Sequence, residues 1–121
     1  MPVKVVDASA VAALLFNEPD AGRVVGRIAG HALVAPDLLR FEVASVCLKK
    51  IRTDPRRREA LLAAFRLLER LDVDWTHVDL DGAVELADET GLTVYDACYL
   101  WVARLLGCEL VTLDKRLAAA L

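Results

Sequence analysis

Short apolar runs alternate with amphipathic stretches along the whole chain. The runs are VKVV (3–6), ALVAPD (32–37), VDWTHV (73–78) and CELVT (108–112). Each is of strand length and is bounded by polar, Pro or Gly residues, which is the pattern of a short strand in a buried sheet. The second run ends near Ala35, because Pro36 and Asp37 open the helix that follows.

Between these runs, apolar residues recur at helical spacing. The predicted helices are AVAALLF (10–16), AGRVVGRIAG (21–30), LLRFEVASVCLKKI (38–51), DPRRREALLAAFRLLERL (54–71), DGAVELADETG (81–91), VYDACYLWVARLLG (94–107) and KRLAAAL (115–121). Helices that connect successive strands cover both faces of a mostly parallel sheet. We therefore predict one domain over residues 1–121, an α/β three-layer α/β/α sandwich with a short, mostly parallel sheet of four or five strands.

Composition indicates the cellular compartment in which this domain is expected. The chain is 56% hydrophobic, yet no apolar run approaches the roughly 20 residues of a membrane span. The start, MPVKVVDAS, lacks the charged and apolar regions of a signal peptide. Cys47, Cys98 and Cys108 are odd in number, lie in apolar stretches and show no CxxC spacing, which is typical of reduced thiols. We expect a cytoplasmic protein with no membrane partner.

The net charge of −3 excludes a protein whose whole surface binds phosphate backbones. Any nucleic-acid contact must be local, and the candidate is KKIRTDPRRR (49–58), called the basic stretch below. Its cations are Lys49, Lys50, Arg52, Arg56, Arg57 and Arg58. Two interpretations remain open: solvated helix ends around a turn that contains Pro55, or a basic rim that binds RNA.

Four acidic residues, far apart in sequence, are predicted at one edge of the sheet. Asp7 follows the first strand and Asp114 follows the fourth, so both lie at the carboxyl ends of strands. Glu42 lies in the second turn of the helix that leaves the second strand. Asp96 lies in the first turn of the helix that feeds the fourth strand, and right-handed crossovers place that turn at the same edge. Ligands bind at this edge in open α/β sheets.

Each acid also has a simpler explanation. Asp7 and Asp114 have the positions of helix N-caps, and Thr93 with Asp96 has the spacing of a capping box. Glu42 fits this explanation worst, because no Lys or Arg lies three or four residues after it. Taken together, the four like charges would repel by roughly 1–4 kcal/mol per close pair, and a divalent cation would remove that repulsion.

The residue types indicate which ion and which chemistry. Oxygen ligands without His or Cys select a hard cation, Mg²⁺ or Mn²⁺. Ser9 and Thr112 add hydroxyl groups at the same edge, able to orient a carboxylate or hold a water. No Ser-His-Asp set or Gly-rich phosphate loop is present, so hydrolysis of a phosphodiester by a water activated at the ion is the favoured reaction. One of the acids would accept the proton of that water.

Three segments resemble a known family. They are VVDASAVAALLFNEP (5–19), APDLLRFEVASV (35–46) and TVYDACYLWVARLLGCELVTLDKRL (93–117). Together they are similar to the successive motifs of the PIN domain family, in particular the VapC-type toxins of bacterial toxin–antitoxin pairs. The resemblance implies a PIN-like fold, a Mg²⁺-dependent endoribonuclease that cleaves RNA, a homodimer, and inhibition by a cognate antitoxin. It also implies an acidic quartet and supporting polar residues, namely Asp7, Glu42, Asp96 and Asp114 with Ser9 and Thr112.

Two departures from the family accompany this resemblance. Family members often have Asn three residues after the Glu, whereas this chain has Ser45, which we keep as a third supporting polar residue. Relatives also commonly add a short strand after the position where this chain ends, at Leu121.

Two other functions stay open at this point. A phosphorylation-controlled receiver domain also has a parallel sheet and an acidic Mg²⁺ pocket, but it needs an acid pair after the first strand and one helix before the third. A catalytically silent PIN-fold module that binds RNA or a protein partner is the second. Four mutually repelling charges favour the enzyme over the silent module.

Overall fold

The computed structural model describes residues 2–121, and in that range strands and helices follow the predicted order. The strands are β1 (Val3–Val6), β2 (Ala32–Pro36), β3 (Val73–Thr76) and β4 (Leu110–Val111). The helices are α1 (Ala8–Leu15), α2 (Ala21–Ile28), α3 (Leu38–Thr53), α4 (Arg58–Arg66), α5 (Leu80–Thr90), α6 (Val94–Leu106) and α7 (Lys115–Ala119). No helix within residues 2–121 has the length and apolar character that spanning a membrane requires.

All strand pairs are parallel, and the strand order is β3-β2-β1-β4. Val5, in the middle of the sheet, pairs with Val34 on one side and Leu110 on the other. The chain moves from β1 to one side through β2 and β3, and then crosses back to place β4 on the other side of β1. Strand order therefore reverses between β1 and β4, and the crevice at their carboxyl ends is the expected ligand site of such a sheet. The predicted α/β fold is confirmed.

Helix α6 has more buried residues than any other helix within residues 2–121. Its residues from Ala97 to Leu100 are all buried, and it packs across β1 and β2 and against α5. A helix that is apolar around most of its circumference is stable only where it is covered on most sides. Asp96 lies in the first turn, where this cover ends, so the apolar residues after it hold the helix that positions the acid.

Several elements are shorter than predicted, among them β4, which spans Leu110–Val111 and not the whole run 108–112. Two of the other differences have a physical reason. The amphipathic stretch 54–71 forms an α-helix only over Arg58–Arg66, between 3₁₀ turns at Pro55–Arg57 and Leu67–Arg70. The second 3₁₀ turn tightens the chain so that it can enter β3, as is common at helix ends. The run VDWTHV stops pairing at Thr76 because β3 is an edge strand whose neighbour, β2, ends at Pro36.

Gly82 permits the close packing of α5 on α6, and this leads to a testable prediction. A Cβ atom at Gly82 would lie 2.6 Å from Nε1 of Trp101, whereas a Cβ at Gly26 in α2 would have no atom within 4 Å. Gly26→Ala should stabilise the domain by up to about 1 kcal/mol through helix propensity. Gly82→Ala gains the same propensity but forces Trp101 to move, at a cost of about 1–3 kcal/mol.

Urea unfolding followed by tryptophan fluorescence should therefore rank Gly26→Ala above wild type and Gly82→Ala at or below it. Equal stability of the two variants would show that Trp101 rotates away without cost.

Candidate active site

Asp7 is buried at the carboxyl end of β1, where its carboxylate is surrounded by donors. It is 4% exposed. Ser9 Oγ donates to its Oδ1 at 2.7 Å, the backbone N–H of Ala10 donates to the same oxygen at 3.0 Å, and Thr112 Oγ1 donates to its Oδ2. Burial raises the pKa of Asp7, the three hydrogen bonds oppose that rise, and the charge of Asp114 adds to it. The ionised carboxylate is thus held in one orientation.

The hydroxyl groups of Ser9 and Thr112 join β4 to this carboxylate. The N–H of Leu113 donates to Ser9 Oγ at 2.9 Å, and the N–H of Asp114 donates to Thr112 Oγ1 at 3.0 Å. Each hydroxyl therefore accepts from the backbone after β4 and donates its own proton to Asp7. Asp7 and Thr112 are the two buried polar residues in the part of the chain that the structure describes.

Glu42 in α3 is half-buried and is bonded to a residue that the sequence motifs did not single out. The hydroxyl of Tyr99 in α6 donates to Glu42 Oε1, and Tyr99 itself is 1% exposed. Burial raises the pKa of Glu42, the bond from Tyr99 lowers it, and the charges of Asp96 and Asp7 raise it. Burial and the same carboxylates hold the pKa of Tyr99 far above its ordinary value, so the phenol stays a donor.

Asp96 and Asp114 complete the acidic quartet from the two ends of the α6–β4 unit. Burial raises the pKa of Asp96, the charge of Asp114 raises it further, and Thr93 and Arg116 lower it. Asp114 caps α7 by accepting from the N–H groups of Arg116 at 2.8 Å and Leu117 at 3.1 Å. Asp7 and Asp114 therefore do cap helices. Their charges nevertheless also affect the pKa values of other members of the quartet.

The mutual effects of the four acids form a closed ring. The charge of Asp114 raises the pKa of both Asp7 and Asp96. The charges of Asp96 and Asp7 in turn raise the pKa of Glu42. None of the four makes a salt bridge within residues 2–121. By contrast, Glu109 at the other edge of the sheet is paired with Arg27 and Lys4, whose hydrogen bonds lower its pKa. The quartet is a concentration of negative charge that Arg116, through its effect on Asp96, offsets only in part.

The donor set fits a hard divalent cation, although its members stand apart. A carboxylate has about four lone-pair positions, and Asp7 uses three of them within the protein, which leaves one at Oδ2. Asp114 and Glu42 each direct one oxygen to protein donors and keep the other. Within residues 2–121, however, no three Asp, Glu, His or Cys side chains lie close enough together to hold an ion as they stand. Mutual repulsion favours separation of four like charges.

The other predicted residues lie farther from this cluster. Ser45 is exposed on α3, one turn after Glu42. The basic stretch lies at the far end of α3, so at 1.5 Å per residue Arg52 is roughly 15 Å along the helix axis from Glu42. A contact between Lys50 and Glu18, which follows α1, also places it toward the opposite edge of the sheet.

Half of the cations in the basic stretch are engaged by acids of the same domain. Lys50 pairs with Glu18 at 3.1 Å, Arg56 with Asp54 at 3.6 Å and Arg58 with Glu59 at 2.8 Å. Three others, Lys49, Arg52 and Arg57, are exposed and have no salt bridge within residues 2–121. They are the members of the stretch that are available to an external phosphate.

Comparison with known proteins gives consistent results over nearly the whole chain. The family model described as PIN domain matches residues 4–120. Ribonuclease VapC3 of Pyrobaculum aerophilum is 36% identical over 121 residues, covering 94% of this chain and 91% of that protein. Ribonuclease VapC9 of Mycobacterium tuberculosis is 35% identical over 116 residues, covering 94% and 87%.

Solved structures give the same fold. The crystal structure of PAE2754 from Pyrobaculum aerophilum superimposes with a TM-score of 0.77 at 29% identity, covering 98% of this chain and 79% of that one. Mycobacterium tuberculosis VapC20, a toxin that cleaves the sarcin–ricin loop, superimposes with a TM-score of 0.69 at 18% identity, covering 97% and 94%. At that identity the second likeness shows the fold alone.

Replacing Tyr99 by Phe tests whether the buried phenol controls the charge of Glu42. The hydrogen bond from Tyr99 favours the ionised carboxylate, so its loss should raise the pKa of Glu42 above the wild-type value. The measurement is a carboxyl ¹³C NMR titration of metal-free protein, with Tyr95→Phe as the control because Tyr95 is exposed one turn earlier on α6. An unchanged or lowered pKa of Glu42 in Tyr99→Phe would contradict the assigned bond.

Proposed function

Because the chain belongs to the PIN domain family, we propose that it is a metal-dependent endoribonuclease of the VapC type whose active centre is Asp7, Glu42, Asp96 and Asp114. One observation carries the assignment of the centre. At the edge where strand order reverses between β1 and β4, charges within a set of four carboxylates raise the pKa of Asp7, Glu42 and Asp96, and none of the four makes a salt bridge within residues 2–121. A receiver domain is excluded by the family match, and the silent module is the less favoured alternative because the quartet is intact.

A divalent cation fits this centre. Asp7 through Oδ2, Glu42, Asp96 and Asp114 would hold it, with Mg²⁺ or Mn²⁺ preferred because every donor is oxygen. When bound, the ion would acidify a water and neutralise charge on the scissile phosphate.

The chain's own residues then have distinct tasks. Asp7 is fixed by Ser9 and Thr112 and provides a rigid reference point, because its three hydrogen bonds leave it little freedom. Tyr99 orients Glu42. Asp96 combines partial exposure with a raised pKa, which suits a group that accepts a proton from the attacking water near neutral pH. Ser45 is exposed one turn after Glu42 on α3 and would contact RNA or a water.

The partners and the compartment belong to the same proposal. A homodimer and a cognate antitoxin both need apolar contact surface, and large apolar side chains are exposed on α3 and α5, among them Phe41, Leu48 and Val84. Three free cysteines suit a reducing compartment, which supports the cytoplasm as the place of action.

Asp96→Asn should abolish cleavage while leaving the fold intact. Purified protein is incubated with total cellular RNA, with Mg²⁺ or with EDTA, and the cut ends are mapped. Cleavage should require Mg²⁺ and fall about 100-fold or more in the variant. Metal-free stability in urea should stay equal or rise, because a charge disfavoured by burial and by Asp114 is removed. Asp72→Asn, an exposed acid at the amino end of β3, is the control and should cut like wild type. Wild-type activity in Asp96→Asn would remove Asp96 from the centre.

The salt dependence of RNA binding tests the basic stretch. If the unpaired cations bind phosphates, Lys49→Ala with Arg57→Ala should flatten the slope of log affinity against log salt by about 0.7 for each phosphate that is no longer neutralised. Arg56→Ala with Arg58→Ala removes the same charge from positions already paired with Asp54 and Glu59, and should change the slope less. Binding is measured by fluorescence anisotropy in EDTA. Equal slopes in both double variants and wild type would leave the stretch as solvated surface.

A further inference from the structure

A cavity of about 260 Å³ lies beside the acidic quartet, at the carboxyl ends of β2 and β3. Its walls include Leu38 from the start of α3, Thr76 from the end of β3, His77 and Val78 from the loop after it, Leu80 from α5 and Cys98 from α6. The cavity therefore opens on the edge of the sheet that carries the four acids.

Two residues of the cavity wall lie on the same helices as members of the quartet and close to them in sequence. Leu38 and Glu42 are four residues apart on α3, so they share one face of that helix. Cys98 on α6 directly precedes Tyr99, whose hydroxyl bonds Glu42. Burial and the charge of Glu42 raise the pKa of the Cys98 thiol, which places the wall of the cavity within electrostatic range of that carboxylate.

The lining has the mixed chemistry that a nucleobase needs. Leu38, Val78 and Leu80 provide apolar surface for the faces of a planar ring. Thr76 provides a hydroxyl group, and the exposed ring of His77 provides two nitrogens, so both donors and acceptors are available for the edge of a base. Sequence-specific proteins read single-stranded RNA in this way, by packing on unstacked bases and bonding their edges.

Larger cavities exist but do not meet the quartet. One of about 370 Å³ is lined by Phe65, Leu68 and Trp75. Another, of about 360 Å³, lies among Leu100, Gly107 and Leu110 near the amino end of β4. Proximity to the acids, and not volume, therefore distinguishes the cavity at His77.

We propose that the cavity at His77 binds one base of the single-stranded RNA substrate, next to the phosphate that the quartet cleaves, and that His77 and Thr76 select that base. This proposal rests on the ribonuclease function proposed above. It assigns sequence preference to a site made by the end of β3, the loop that follows it and the first residues of α3 and α5, separate from the acids that cleave.

His77→Ala and His31→Ala form a matched pair for the test. His31 precedes β2 at the amino edge of the sheet, away from the quartet, and each change removes one imidazole. Each variant cleaves an RNA pool of random sequence in Mg²⁺, and the bases around the cuts are counted. Binding of short single-stranded RNA is measured in EDTA by fluorescence anisotropy. His77→Ala should lose preference at one position beside the cut and bind about five- to tenfold more weakly, the size of one hydrogen bond. His31→Ala should match wild type in both measurements.

Leu80→Ala is a second variant. It removes one of the apolar side chains of the cavity wall and leaves His77 in place. It should weaken binding without the change of preference that His77→Ala causes. Wild-type preference and affinity in both cavity variants, with wild-type protein active, would overturn the base site and leave the ribonuclease proposal standing. Wild-type protein that fails to cut RNA in Mg²⁺ would overturn the proposed function itself. A shift of His77→Ala or Leu80→Ala to a smaller species on size exclusion, with unchanged base preference, would make the cavity an interface between copies and end the proposal.

Discussion

The carboxylate of Asp7, buried where β1 ends, is the interaction on which the active edge depends. A buried ionised group is tolerated only where donors replace water. Those donors come from α1, through Ser9 and Ala10, and from the end of β4, through Thr112. The bonds that satisfy Asp7 therefore also hold β4 beside β1, so the domain does not complete its sheet without building the first part of its active centre.

The rest of the charge distribution follows from this arrangement. Glu109 at the amino edge is paired with Lys4 and Arg27, whereas the quartet makes no salt bridge within residues 2–121. Asp7, Glu42 and Asp96 have raised pKa values, each first by burial and then by the charge of another member. Repulsion among the four carboxylates makes the fold less stable than it could be. The same concentration of negative charge gives this edge of the sheet a strong preference for binding a cation.

The sequence was sufficient to place all four acids at one edge, because strand–helix alternation and right-handed crossovers leave little choice of direction. It was not sufficient to find Tyr99, which stands in an apolar run and has the periodicity of a core residue. Only the packing of α6 on α3 shows that its hydroxyl meets Glu42. The distance between the basic stretch and Glu42, in contrast, could have been obtained from helix length alone. The end of β3 at Thr76 depends on where the neighbouring strand stops, which no local pattern contains.

β4 is a ladder of only two residues, and it pairs with β1 alone. Leu110 and Val111 are nonetheless buried, so packing and the bonds of Ser9 and Thr112, more than the ladder, hold the segment in place. Opening of this segment would carry Asp114 away and take Thr112 from Asp7, while β1, β2 and β3 stay paired. Any event that separates β4 from β1 therefore disrupts the active centre, even where most of the sheet is unaffected.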